Sequence, residues 1–164
     1  MLRAAAGEEG PVAVRYPRGG EGEISYPAWQ GESACLLERG NDFTLVSYGV
    51  MTDELMIAAS KLNEEGIGCD VVKLGRIAPL DTAVVEESVG RTGRILVLED
   101  CLENGCVGQK LAAELIKKGM SPKTVLLKNL GHDFAGQGTV RDLRRQAGLD
   151  AESVVKAVKE VLHG

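Results

Sequence analysis

Hydrophobic and polar positions follow two regimes along this chain. From Asn41 onward, short apolar runs alternate with stripes at helical spacing; before Asn41 they do not. Phe43-Thr44-Leu45-Val46-Ser47-Tyr48 stops at Gly49 and predicts a buried strand. Thr52 is placed to cap a helix carrying Leu55, Met56, Ala59 and Leu62, which Glu64-Glu65-Gly66 closes. Ile67 to Leu74 reads as a second strand. Pro79 and Asp81 open a helix from Thr82 to Ser88. Arg94 to Glu99 is the cleanest strand. Gly105 to Lys118 is a helix with Val107, Leu111, Leu115 and Ile116 on one side and Gly119 after its end. Thr124 to Asn129 is a fourth strand and Thr139 to Gln146 a short helix. Asp150 caps a last helix striped by Val154, Val155, Val158, Val161 and Leu162.

Strands separated by single helices imply parallel β-α-β units with right-handed crossovers. Continuously apolar strands belong in a sheet covered on both faces. The expected fold class is therefore α/β: a three-layer αβα sandwich with a mostly parallel sheet over residues 41–164. The front of the chain differs. Leu2 to Ala6 reads as a helix end closed by Gly7, and Pro11 to Tyr16 as a lone strand rich in valine. A helical stub and one strand are not a folding unit. Pro17 to Gly40, with Gly19, Gly20, Gly22 and Pro27, has no periodicity and reads as a crossing segment.

Composition narrows the function classes. The chain carries a net charge of -5, which argues against nucleic acid or an anionic membrane as a main partner. No apolar window approaches the roughly 18 residues of a membrane span, and Glu8 and Glu9 interrupt the start too early for a signal peptide. A cytoplasmic protein is expected, with Cys35, Cys69, Cys101 and Cys106 as reduced thiols.

In open parallel sheets, ligands bind beyond the carboxyl ends of the strands. The most polar of these ends is Glu99-Asp100-Cys101-Leu102-Glu103-Asn104-Gly105-Cys106-Val107-Gly108. Glu99 and Asp100 are adjacent at a strand end and point to opposite sides, which suits a catalytic pair badly. Glu99 is expected instead to satisfy backbone donors of a neighbouring loop. Gly105 and Gly108 stand where a helix begins, so a phosphate could meet free N–H groups there, although the spacing is not G-x-G-x-x-G. Cys101 with His132 is conceivable as a nucleophile and base. No C-x-x-C or paired histidine marks a metal site. Ser47 lacks the G-x-S-x-G elbow of α/β-hydrolases. Arg15 and Arg18 flank Tyr16-Pro17; a clamp for an anionic group and a surface salt bridge are both compatible with them.

At these residues the sequence resembles a known family. Gly10-Pro11-Val12-Ala13-Val14-Arg15-Tyr16-Pro17-Arg18-Gly19 is similar to the end of the pyrimidine-binding domain of 1-deoxy-D-xylulose-5-phosphate synthases. The resemblance continues in order through Tyr48-Gly49-Val50-Met51, Arg76-Ile77-Ala78-Pro79-Leu80-Asp81, Leu98-Glu99-Asp100 with Gly105 and Gly108, Phe134-Ala135-Gly136-Gln137-Gly138-Thr139, and Gly148-Leu149-Asp150. Asp100 stands where the family usually has a second glutamate. Transketolases and the β-subunits of 2-oxo-acid dehydrogenases share the fold and are the alternative membership.

The resemblance implies residues 1–19 as the tail of the pyrimidine-binding domain, 20–40 as a linker and 41–164 as a transketolase C-terminal domain. It implies a transferase that joins pyruvate, after loss of CO2, to glyceraldehyde 3-phosphate, supplying isoprenoid, thiamine and pyridoxal synthesis. Thiamine diphosphate and magnesium are implied for the full-length enzyme, held by domains essentially absent from this sequence. Neither cofactor nor metal, and no catalytic residue, is expected on this chain. Arg18 alone maps to an active-site role, binding the substrate phosphate. The implied partners are the cofactor-binding domains and a second copy in a homodimer, with the isolated chain inactive. Two other readings remain at this stage. One is a separately encoded C-terminal subunit; the other is a small α/β enzyme with its own site at the strand ends.

Overall fold

The computed structural model describes residues 2–16, 22, 24–26, 31–132 and 136–164. Among them, α1 (Leu2–Ala5) is the N-terminal stub. The sheet comprises β1 (Ala34–Glu38), β2 (Phe43–Tyr48), β3 (Cys69–Leu74), β4 (Arg94–Leu98) and β5 (Thr124–Lys128), in the order β1-β3-β2-β4-β5. All neighbours are parallel except β1, which runs antiparallel to β3. The helices are α2 (Met51–Glu64), α3 (Ala83–Thr92), α4 (Val107–Lys117), α5 (Val140–Gln146) and α6 (Ala151–His163).

Alternation along the strands explains the layers. Phe43, Leu45, Cys69, Val71, Leu96 and Leu98 face one side, where Leu55, Ala59 and Leu62 of α2 and Val154, Val155 and Val158 of α6 cover them. Val46, Val72, Leu74, Ile95 and Val97 face the other, against Val85 and Val89 of α3 and Leu111 and Leu115 of α4. Both faces are buried, so the strands read as continuous apolar runs. The expected three-layer α/β sandwich is what forms.

Local signals account for the starts of α5 and α6 but not for every helix end. Asp150 accepts from the Ser153 N–H at 3.1 Å and Thr139 from the Asp142 N–H at 3.2 Å, as capping requires. Thr52 does not cap α2. The helix begins one residue earlier, at Met51, and the buried Thr52 Oγ1 lacks a hydrogen-bond partner among the described residues. Helix α3 runs past Ser88 to Thr92 because Val89 and Thr92 continue its buried stripe; Gly93, at φ 68°, ends it in the left-handed region.

Two expectations before Asn41 need correction. Ala34–Glu38, read as part of an aperiodic crossing segment, is a strand pairing Ala34 with Leu74 and Leu36 with Val72. A register irregularity between Leu36 and Glu38 breaks the alternation that would have revealed it. Pro11 to Tyr16, read as a strand, forms none, because no ladder partner meets it among the described residues.

Strand β1 turns into β2 at Gly40, which lies against the backbone of Gly68. A Cβ on Gly40 would fall 2.2 Å from the Gly68 carbonyl carbon, so only glycine fits. Beside it lies a buried polar hub. Asp70 is fully buried and accepts from the Gly40 N–H at 2.7 Å, from Ser88 Oγ at 2.5 Å and from the Arg91 guanidinium. Thr44 joins it through hydroxyl bonds to Ser88 at 2.6 Å and Thr92 at 2.7 Å.

Candidate functional site

The strand order reverses direction at β2, whose neighbours are β3 on one side and β4 on the other. In α/β sheets such a reversal opens a crevice at the carboxyl edge. Tyr48 ends β2 there and Glu99 follows β4. The Glu99 side chain is 1% exposed. Its Oε1 accepts from the Val107 N–H at 2.8 Å and from the Tyr48 hydroxyl at 3.1 Å, and its Oε2 from the Gly108 N–H at 2.7 Å. Both amides belong to the first turn of α4, whose N-cap residue, Cys106, offers no side-chain cap. Glu99 thus supplies the negative charge that the positive helix end favours. A Cβ at Gly108 would lie 2.8 Å from Oε2 and 2.9 Å from Leu127 Cδ2, so glycine there lets the carboxylate in.

This geometry decides several expectations at once. The helix start at Gly105 to Gly108 already holds a carboxylate, so a phosphate would have to displace Glu99. Glu99 satisfies backbone donors, as anticipated. Asp100 points elsewhere, forming an ion pair with Arg15 at 4.0 Å. Ser47 donates to the Leu98 carbonyl at 2.7 Å and is fully buried.

No side-chain hydrogen bond joins Cys101 to His132 among the described residues. The Cys101 thiol lies 3.8 Å from Glu99 Oε1 and 4.0 Å from the Tyr48 hydroxyl, whereas His132 Nε2 is 3.2 Å from Glu103 Oε2. Burial first, and the Glu99 charge second, push the Cys101 thiol up to about 11. Burial, then Glu99, then Cys101 also raise the Tyr48 phenol. The nucleophile is the thiolate, so Cys101 is silent near neutrality. Its alkylation by iodoacetamide, followed by mass spectrometry, is expected to remain slow at pH 8 and to accelerate up to about pH 11. Fast modification at pH 7 would contradict this. The linked effect on stability has a definite sign. A folded-state pKa above the ordinary thiol value of about 8.5 adds stability below that pH, which is lost as pH rises toward about 11.

The front of the chain reaches the same edge. Glu8 pairs with Arg76, just after β3. Arg15 pairs with Asp100, just after β4. The Tyr26 hydroxyl donates to Asp53 Oδ1 at 2.7 Å, in the first turn of α2, and Lys73 Nζ stands 3.9 Å from the Tyr26 ring centre. Arg18 lies outside the described residues, as does the Asp133-Phe134-Ala135 stretch. Sequence reading missed Glu8, Tyr26, Asp53 and the Asp70 hub, and it saw Arg76 only as part of a family motif, without its partner. No local pattern marks them, because each meets its partner across a long sequence interval: 68 residues for Glu8 and Arg76, 27 for Tyr26 and Asp53.

The start of α4 is no cradle for a diphosphate. The amides at the start of α4 are taken by Glu99, and no cluster of three His, Cys, Asp or Glu ligands exists among the described residues.

Comparison with known proteins places this arrangement. Residues 32–154 match the family model for the transketolase C-terminal domain. The 1-deoxy-D-xylulose-5-phosphate synthase of Desulforudis audaxviator (strain MP104C) is 34% identical across 97% of this chain and 26% of its own length. That of Chlorobium luteolum (strain DSM 273 / BCRC 81028 / 2530) is 34% identical across 93% of this chain and 24% of its own length. The chain therefore spans about a quarter of these curated relatives. A solved structure described as a split gene transketolase, inactive beta4 tetramer, superposes with a TM-score of 0.85 at 33% identity, covering 97% of this chain and 52% of that one. A transketolase from Campylobacter jejuni, at TM-score 0.53 and 20% identity, shares the fold.

Proposed function

Because this chain belongs to the transketolase C-terminal domain family, we propose that it is the C-terminal part of a thiamine-diphosphate-dependent 1-deoxy-D-xylulose-5-phosphate synthase. In this reading pyruvate and glyceraldehyde 3-phosphate are condensed with loss of CO2. The product feeds isoprenoid, thiamine and pyridoxal synthesis. The observation carrying the reading is identity of about a third to curated synthases over 93–97% of this chain, which includes the segment before the family-model match. That segment carries Arg18, proposed to bind the aldehyde's phosphate.

Residues 1–19 are then the end of the pyrimidine-binding domain and the stretch from residue 20 up to the family match the linker; β1 and the remainder are the C-terminal domain. The cofactor and magnesium are assigned to the other domains, as the resemblance implies. This domain serves assembly, in a cytoplasmic homodimer. Arginine suits Arg18's role because its planar fork matches phosphate oxygens.

The test is formation of 1-deoxy-D-xylulose 5-phosphate from pyruvate and glyceraldehyde 3-phosphate when this chain is joined to, or mixed with, the cofactor-binding part of the enzyme. No product would overturn the reading. Calorimetry on this chain alone is expected to detect no micromolar binding of thiamine diphosphate with magnesium; such binding would refute the assignment of the cofactor elsewhere.

A second arrangement, a separately encoded C-terminal subunit, is favoured by the similarity to the split gene transketolase, half of which this chain covers. The genomic DNA just upstream of the Met1 codon distinguishes the two. An in-frame extension encoding the cofactor-binding domains means one polypeptide; a stop codon and ribosome-binding site mean a subunit.

A further inference from the structure

Helix α2 turns an apolar side chain to the outside at its middle. Ile57, halfway along Met51–Glu64, is 42% exposed. Beside it lies a shallow groove lined by Ile24, Met56, Ile57 and Ser60, with Glu38 and Glu64 also in its walls. The lysine that lines it, Lys61, is already paired with Glu152. Glu38 and Glu64 form no ion pair among the described residues.

The other end of α2 carries the complementary chemistry. Helix α5 is fastened there by Arg144, which pairs at 3.4 Å with Glu54 in the first turn of α2. It presents Val140, 65% exposed, next to Arg141 and Arg145. These two arginines are exposed, stand four residues apart on one helix face, and form no ion pair among the described residues. An apolar centre, an acidic end and a basic end thus follow one another along α2.

We infer that this face is where a second copy of the chain docks, the two α2 helices lying antiparallel about a two-fold axis at Ile57. The axis sets Ile57 against its counterpart. It also turns the Glu64 end of each α2, about 10 Å from Ile57 along the helix, toward the α5 end of the other. Each acidic groove wall then meets the Arg141 and Arg145 of the second copy. Such a self-complementary patch is what a closed dimer requires. Two free arginines on a chain of net charge -5 suit a carboxylate-bearing protein surface, and this chain supplies one. The inference names the face for the homodimer proposed above and rests on that reading.

Sedimentation equilibrium of the chain tests it. Wild type is expected to pass from monomer to dimer between about 1 and 300 µM, as a small interface does. Ile57→Glu, Glu38→Arg with Glu64→Arg, and Arg141→Glu with Arg145→Glu are each expected to weaken the dimer at least about tenfold. An equimolar mixture of the two charge-reversed variants should regain it, because every reversed group then faces an opposite charge. Adding Ile57→Glu to either one should abolish the recovery. A mixture that stays monomeric overturns the inference. Dimerisation indifferent to all three variants refutes this face and leaves the homodimer standing. A wild-type chain monomeric throughout also refutes the face; the mass of the assembled enzyme then decides the homodimer separately.

Discussion

Replacing Glu99 with alanine is expected to lower the folding stability of this chain by about 3–5 kcal/mol, the range for removing one member of a buried charged set. Three donors lose their acceptor together: the Val107 and Gly108 amides and the Tyr48 hydroxyl. The Gly108 amide lies beside Leu127 and Val97, so only a water trapped in the cavity left by the lost side chain could take the place of the carboxylate. For a chain of this size the loss corresponds to roughly a 6–20 °C fall in Tm by calorimetry. Glu99→Gln separates charge from shape. It retains an acceptor for one amide but turns an NH2 toward the other, and should fall between wild type and alanine. A Glu99→Ala variant that melts within about 2 °C of wild type would show that the α4 cap contributes little.

Asp70→Ala is expected to be comparably damaging, again by about 3–5 kcal/mol, through a different set of partners. The Asp70 carboxylate is fully buried and ties the Gly40 turn, Ser88 and Arg91 together. Its removal leaves the Gly40 N–H unpaired where β1 passes into β2, and leaves the Arg91 charge without its buried partner. The Thr44–Ser88–Thr92 hydroxyls lose their terminal acceptor as well. Hydrogen exchange should show the loss first in β1, which among the described residues pairs on the sheet with β3 alone and joins the Gly40 turn at its end. Because the hub is buried, the effect should persist in about 1 M salt, whereas the exposed Arg15–Asp100 pair is screened there. A salt-dependent penalty for Asp70→Ala would contradict this account.

The two sites differ in how far they were legible beforehand. Glu99 was anticipated as an acceptor for backbone donors of a neighbouring loop, because it and Asp100, adjacent at a strand end, point to opposite sides and suit a catalytic pair badly. What could not be read was that it fills the helix N-terminus so completely that the phosphate reading of Gly105 and Gly108 fails. Asp70 gave no signal at all. It sits inside an apolar strand, and its partners Gly40, Ser88 and Arg91 lie 18 to 30 residues away. Thr52 shows the opposite failure: a good capping residue by type, it was drawn into the helix when Met51 and Leu55 buried themselves against the sheet.

By itself the sequence determined the elements and their class. Strands β2 to β5 and the helices between them follow from short apolar runs and from stripes with a period of 3.6 residues, which are local properties of backbone geometry and side-chain burial. Single helices between strands then leave little choice but a parallel sheet covered on both faces. Only the tertiary structure decided what lies on that sheet's edges. It added β1 antiparallel to β3, closed the β1–β2 turn on Asp70, and laid the front segment along the carboxyl edge through Glu8, Arg15 and Tyr26. Each of these depends on groups brought together from distant points of the chain, and no periodicity within one element can encode a partner that another element supplies.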